Sequence, residues 1–337
     1  MIGISFYLND PFAEERIIDA GKKGVKRAFT SLHIPEESGD LAVRAKQLLQ
    51  AAKDAGIEVY ADVSYNTPAH LGIADLEDLT SLGVAGLRLD DFFDNETIIR
   101  LAKRFRLAIN ASILFEADLK ELLKGGLKSE NLIAWHNFYP RPETGLDEEF
   151  FREQNDLYKR YGIPVWAYVP GRGEKRGPLF RGLPTLEKHR DMDPFAAALE
   201  LFKSGVQDVY IGDPDPGEGL LEQLIKYDAE TIVPIRFQSS FLNAGEYKLR
   251  PDFARDVLRF MNTRSKNSVV PENTVKRPRG SITMDNDLYG RYRGEIQITL
   301  NDLPADEKVN VIGRVADIDL PLLSVVRPGD RLYLHGE

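Results

Sequence analysis

The chain contains no cysteine. Disulfides and a thiol nucleophile are therefore excluded, and the composition suits a reducing compartment. No apolar run approaches the ~20 residues that a membrane-spanning helix needs. Met1-Ile2-Gly3-Ile4-Ser5-Phe6-Tyr7 reads straight into a strand, with neither a basic leader nor a cleavage site, so the expected location is the cytoplasm. A basic excess is missing too. The 44 Lys and Arg face 53 Asp and Glu, a formal net charge of -9, which argues against a nucleic-acid or anionic-membrane partner. The five histidines show no His-x-His or His-Glu-x-x-His spacing, and no metal or other cofactor is expected. Three of them converging with Asp62 and Asp90 would still build a barrel metallohydrolase, the chief chemical alternative. No Gly-x-Ser-x-Gly elbow supports a serine hydrolase. No lysine stands at a predicted strand end to form a Schiff base.

What the chain does contain is one repeated grammar from residue 1 to about 228: an apolar run, polar residues, then an amphipathic stretch closed by glycine. Gly24, Gly56, Gly83, Gly162 and Gly205 close such stretches, where glycine supplies the left-handed turn that ends a helix. Eight candidate strands result: Ile2 to Leu8, Val25 to Ser31, Ile57 to Val63, Val84 to Leu89, Leu107 to Ala111, Leu132 to Trp135, Ile163 to Val169 and Val206 to Ile211. Leu41 to Ala55 and the stretch opened by Asp193-Pro194 read as helices between them. Eight units in that length match an α/β (β/α)8 TIM barrel. An open doubly wound sheet is the alternative, weakened by the lack of a Gly-rich phosphate fingerprint after the first strand. Residues 229–337 change character. A helix is expected from Pro251 to Met261, then short β runs separated by turn signals, giving a second, mostly-β domain shaped as a small barrel.

The barrel reading puts the residues after each strand around one mouth. They include Asp62, Asp90 and Asp91, Asn110, His136 and Asn137, Tyr168 and Asp213, a set suited to a polyhydroxylated ligand. Asp90 and Asp91 end the fourth apolar run, where one carboxyl can shuttle a proton while its neighbour orients or stabilises charge. The stretch from His136 to Leu146, with Tyr139 and Thr144, mixes rings with polar edges as a sugar-binding loop does; a packed surface loop has the same composition. The seventh strand leads into Gly171 to Arg190, which carries six Lys and Arg against two Glu. In such barrels the last two loops often hold phosphate.

Several longer stretches then resemble one family. They are Gly86 to Asp90, His136 to Pro140 with Thr144-Gly145-Leu146, Gly177-Pro178 with Gly182 to Arg190, and Asn286 to Ile298. The sequence resembles the bacterial 6-phospho-N-acetylmuramidases over nearly its whole length. That resemblance implies a glycosidase-type TIM barrel followed by a small mostly-β, cyclophilin-like domain. It also implies cytoplasmic hydrolysis of a 6-phosphorylated amino-sugar disaccharide during cell-wall recycling. Under that reading Asp90 is the first candidate catalytic residue, with Asp91 or Glu187 as its partner. Asp62, Asn110, His136, Asn137, Tyr139 and Thr144 contact sugar. Arg181, Gly182, His189 and Arg190 receive the phosphate, and Tyr289 and Arg291 reach in from the β domain. The other function classes are a phosphosugar-binding protein without turnover and a metal-dependent phosphosugar isomerase or lyase. The sequence sets no oligomeric state.

Overall fold

The computed structural model describes residues 1–32, 41–89, 93–327 and 330–336. The eight apolar runs become eight parallel strands: β1 (Ile2–Ser5), β2 (Arg27–Ser31), β3 (Glu58–Val63), β4 (Val84–Leu89), β5 (Arg106–Asn110), β6 (Leu132–Trp135), β7 (Val165–Val169) and β8 (Asp208–Ile211). They pair in chain order, and β8 pairs back onto β1 to close the barrel. The outer helices are α1 (Ala13–Lys22), α2 (Leu41–Asp54), α3 (Thr67–Leu71), α4 (Asn95–Leu101), α5 (Glu116–Lys124), α6 (Glu148–Arg160), α7 (Pro194–Lys203) and α8 (Leu220–Glu230). All five closing glycines stand at positive φ, between 67° and 97°. Asp147 caps α6 by accepting the Glu149 and Phe150 amides, and Asp193 caps α7, where Pro194 fills the first turn.

The strands are buried on both faces, as parallel strands under a helical shell must be. Their inward side chains are unusually aromatic. Phe29, Tyr60, Trp135, Trp166, Tyr168 and Tyr210 form one cluster with Tyr7. Trp135 and Trp166 meet edge-on at 4.8 Å, and Tyr60 meets Trp166 at 4.9 Å. Each such pair adds roughly 0.5–1.5 kcal/mol beyond its buried area. The Tyr60 ring explains Gly86 on the neighbouring strand: a Cβ there would lie 2.4 Å from that ring. Rings this large fill the barrel, so a ligand is confined to its C-terminal mouth.

Residues 1–225 and 226–337 form separate compact units. The second holds β9 (Ile232–Ser239), β10 (Gly245–Lys248), β11 (Val257–Arg259), β12 (Ser281–Asp285), β13 (Ile296–Thr299), β14 (Val309–Val315) and β15 (Arg331–Gly336). The sheet runs β10-β15-β9-β14-β12-β13-β11, with β15 and β9 parallel. Its two edges meet at a bridge between Leu249 and Phe260, so the sheet curls back on itself.

The helix expected over Pro251 to Met261 does not form. The segment instead supplies β11, paired antiparallel to β13. Leu258 is buried while Val257 and Arg259 are half-buried, the two-residue alternation of a strand. Cross-strand pairing decided this segment over a local pattern that a proline made look like a helix start.

Candidate functional site

Strand alternation fixes which polar residues face the barrel axis. Tyr60, Gly86, Ala108, Trp135 and Trp166 point inward, so two residues further on Asp62, Arg88, Asn110, Asn137 and Tyr168 form the layer at the mouth. Arg88 is the surprise. A guanidinium inside an apolar strand is tolerated only with a counter-charge. It donates to the Asp62 carboxylate at 2.6 Å, and both side chains are almost fully buried. A second Arg88 nitrogen donates to the Asn137 side-chain carbonyl. The Asn137 amide donates to Ser112 Oγ at 3.0 Å, and Thr185 Oγ1 donates to its carbonyl at 2.9 Å. The ends of β3, β4 and β6 are thereby tied to the loop after β7. Asn110 closes a turn, its side-chain carbonyl accepting the Ser112 amide at 3.1 Å. The half-buried Tyr139 has its phenol pushed up by burial, and its amide bonds Pro184. The arginine within Gly86-Leu87-Arg88-Leu89 was the available sequence signal for this network.

Asp90 and Asp91 lie outside the described residues, as does His33. The tip of β4 is therefore located by Arg88. Burial pushes the Tyr7 phenol up; Arg176 opposes that shift, and Asp213 and Asp62 add to it. Burial pushes the Tyr168 phenol well up, the Arg88 charge opposing that shift and the Asp62 charge adding to it. The ends of β3 and β4 and the loop after β7 accordingly meet at one mouth.

That loop carries less available charge than its composition suggests. Arg172 grips Asp193 with two nitrogens, at 3.0 and 3.1 Å. Lys188 is bonded to Glu148 and Glu200. Arg190 grips both Glu187 oxygens at 2.7 Å. It also donates to the carbonyls of Tyr139, Arg141, Arg181 and Gly182. Lys175 bonds the Gly171 carbonyl and lies 3.9 Å from Asp213. The Arg176 guanidinium sits 3.7 Å above the Tyr7 ring centre. The exposed Arg181 makes no ion pair among the described residues. Asp213, 1% exposed, shapes the loop by accepting the Gly171 and Arg176 amides, each at 3.0 Å. Gly182 takes φ 78°, a left-handed turn that brings its carbonyl to Arg190.

Five expected site residues of the barrel, Glu187, Arg190, His189, His136 and Thr144, are engaged in contacts within the fold. Glu187 accepts the Glu143 amide at 2.8 Å and the Gly145 amide at 2.7 Å. The Arg190 guanidinium, helped by those amides, holds its carboxyl down at about 2. A carboxyl held ionised with both oxygens engaged is poorly placed to protonate a leaving group. Glu187 is a clasp between two loops. Arg190 has its donors engaged in that clasp. His189 is fully buried and faces Glu200 on α7 at 3.0 Å. His136 follows inward Trp135, so it points outward; it bonds Asn155 on α6 at 2.8 Å and leans on Phe151. Thr144 is spent on a local turn, donating to the Arg141 carbonyl at 2.7 Å. Tyr289 and Arg291 belong to the second unit, where Tyr289 is 3.4 Å from Asp306 and Arg291 bonds Tyr292 at 2.9 Å. Among the described residues no three His, Asp or Glu side chains are grouped to hold a metal ion, and no helix is long and apolar enough to cross a membrane.

His136 carries a pH prediction. Burial pushes its imidazole down to about 4, against about 6.5 when unfolded. The unfolded chain therefore binds the extra proton first, and stability falls as pH drops from 6.5 towards 4, by up to about 3 kcal/mol. Urea unfolding at pH 7 and pH 5 should show a smaller pH dependence in His136→Gln than in the parent. An equal dependence would remove His136 as the cause.

A family model described as 6-phospho-N-acetylmuramidase, N-terminal, matches residues 2–226. Its C-terminal counterpart matches residues 228–335. Among solved structures, a conserved Enterococcus faecalis protein of unknown function is 38% identical, with a TM-score of 0.87 over 100% of this chain and 96% of that one. An uncharacterized B. cereus protein is 27% identical, with a TM-score of 0.79 over 99% of each chain. No curated protein matches the chain.

Proposed function

Since the chain belongs to the 6-phospho-N-acetylmuramidase family, we propose that it hydrolyses a 6-phosphorylated N-acetylmuramyl–N-acetylglucosamine disaccharide in the cytoplasm, during cell-wall recycling. The observation that supports this most is the meeting of a sugar-type mouth with a cationic loop. Asp62, Arg88, Asn110 and Asn137 form a bonded polar layer around the axis, and the Arg176 guanidinium lies over the Tyr7 ring. Arg181, exposed and without an ion pair among the described residues, is the first candidate for the phosphate, with Gly182, His189 and Arg190 of the same loop beside it.

In the reaction the glycosidic C1–O bond breaks while the 2-acetamido oxygen bonds C1. One acid delivers its proton to the leaving oxygen, and water then opens the cyclic intermediate. Asp90 is the first candidate for a carboxylate that orients the acetamide, with Asp91 as the second acid. An ordinary two-carboxylate route through Asp90 with Glu143 or Glu187 is the competing mechanism. A thioacetamide substrate separates them: turnover as fast as the parent's, with no binding of a thiazoline inhibitor, rules out assistance.

The function itself is tested by release of reducing sugar from the phosphorylated disaccharide. The unphosphorylated disaccharide should show a kcat/KM lower by about 100-fold, the scale set by losing a charge-assisted pair. Equal kcat/KM for both forms would remove the phosphate site. Binding without release would make the protein a phosphosugar-binding protein, and loss of activity to a chelator would favour the metal-dependent alternative.

A further inference from the structure

Tyr65 stands two residues past β3, at the C-terminal end of the barrel, and is 49% exposed. A single exposed ring is ordinary on a protein surface, and Phe12, Phe115 and Phe180 are exposed in the loops after β1, β5 and β7. Those side chains have no polar atom to anchor them. Tyr65 is anchored twice. Its hydroxyl donates to the Asp94 carboxylate and accepts the Asp94 amide, each at 3.0 Å. Its ring lies on the buried ring of Phe93, with centres 4.3 Å apart and planes tilted by 36°. Asp94 in turn caps α4, accepting the Thr97 amide at 2.9 Å and the Thr97 hydroxyl at 2.8 Å.

These contacts decide what the residue still offers. The phenol proton is engaged, and so are both Asp94 oxygens. What remains is the ring face turned away from Phe93, held in place before any ligand arrives, so that binding has little left to order there. A ring face gives a phosphate neither donors nor positive charge. It packs well against an apolar surface with a polar edge, and a pyranose is such a body: axial C–H groups make the face and hydroxyls surround it. The topology says which sugar. The eight strands pair in chain order, so β3 and β7 stand opposite each other, and β4 is beside β3. The cationic loop follows β7, and Asp90 directly follows β4. On the muramyl ring the phosphate hangs from C6 and the second sugar from C1. A disaccharide whose phosphate meets Arg181 and whose C1 meets the tip of β4 extends its N-acetylglucosamine ring towards β3.

We infer that Tyr65 is a specificity-determining platform on which the N-acetylglucosamine ring of the substrate, the sugar that leaves, stacks through its C–H face. This rests on the proposed function and assigns the second sugar a place in it. Phe93 and Asp94 act through Tyr65, fixing the height and tilt of its ring.

The test compares Tyr65→Leu and Tyr65→Phe with the parent on the full chain, using N-acetylglucosamine and 6-phospho-N-acetylmuramic acid as separate probes in saturation-transfer NMR titrations. Leucine keeps an apolar contact for Phe93 but has no flat face, whereas phenylalanine keeps the face and drops only the hydroxyl. In the parent, saturation of N-acetylglucosamine should fall chiefly on the axial protons of one ring face. Tyr65→Leu should weaken that sugar by tenfold or more and leave 6-phospho-N-acetylmuramic acid within twofold, which also shows that the variant is folded. Tyr65→Phe should hold both within threefold. No binding of N-acetylglucosamine to the parent, or unchanged binding in Tyr65→Leu, overturns the inference. So does an equal loss of both probes in Tyr65→Leu, or a loss in Tyr65→Phe as large as in Tyr65→Leu, because the residue would then act through the shape of the loops or through its hydroxyl. Failure of the parent to cleave the disaccharide, with N-acetylglucosamine bound to the parent and lost in Tyr65→Leu, removes the proposed hydrolysis and leaves the platform standing.

Discussion

Asp90→Asn lowers kcat on the phosphorylated disaccharide by about 10²- to 10⁴-fold, the usual contribution of a positioned acid–base or charge-stabilising group. Its Tm stays within about 2 °C of the parent's, because Asn keeps the shape of Asp. The grounds are chemical and sequential. Asp90 directly follows β4, at the end of the strand where βα barrels place their chemistry. Glu187→Gln supplies the contrasting result. It breaks the grip on Arg190 and weakens the bonds to the Glu143 and Gly145 amides, so the Tm falls, by about 1–3 kcal/mol of stability once partial exposure is allowed for. Turnover of the folded fraction stays within a few-fold, and the pH–rate profile keeps its limbs. Steady-state kinetics with thermal unfolding on both variants decide the matter. Full turnover in Asp90→Asn would take that carboxylate out of the mechanism, and an acid limb abolished in Glu187→Gln would restore Glu187 to it.

Arg88→Met should cost the barrel about 3–5 kcal/mol, the scale for taking one partner from a buried ion pair. Asp62 is 5% exposed and Arg88 3%. Removing the guanidinium leaves the carboxylate in a low-dielectric site without the charge that offsets its desolvation, and it also cuts the tie to Asn137. For a unit of this size the Tm should fall by about 10 °C. Arg88→Met combined with Asp62→Leu should recover part of the loss, since two apolar side chains of similar volume strand no charge. Chemical denaturation of the two single variants and the double variant measures the coupling. Strictly additive losses, or a single-variant loss under 1 kcal/mol, would show that the pair is not the tie that holds β3, β4 and β6 together at the mouth.

The eight strands of the barrel and the glycines between them were legible in the amino-acid order alone, because their causes are local. An apolar run must be buried, and a helix that stops before one needs a left-handed residue, as Gly56 at 70° and Gly205 at 91° show. The family motifs were legible for the same reason: they are contiguous. The Pro251 to Met261 segment was misread because its partner, β13, lies about 40 residues further along the chain.

The chemistry at the mouth depended on side-chain direction, which no single residue announces. His136 and Asn137 are neighbours in the chain. One faces α6 and is held by Asn155, while the other faces the barrel axis and is held by Arg88. Likewise Glu187, Arg190 and Lys188 looked like available charge until the fold brought them against one another and against Glu200. Composition determined how many polar groups surround the mouth. Only the closed barrel, by placing residues far apart in sequence within hydrogen-bond reach, decided which are already spent and which remain for a ligand.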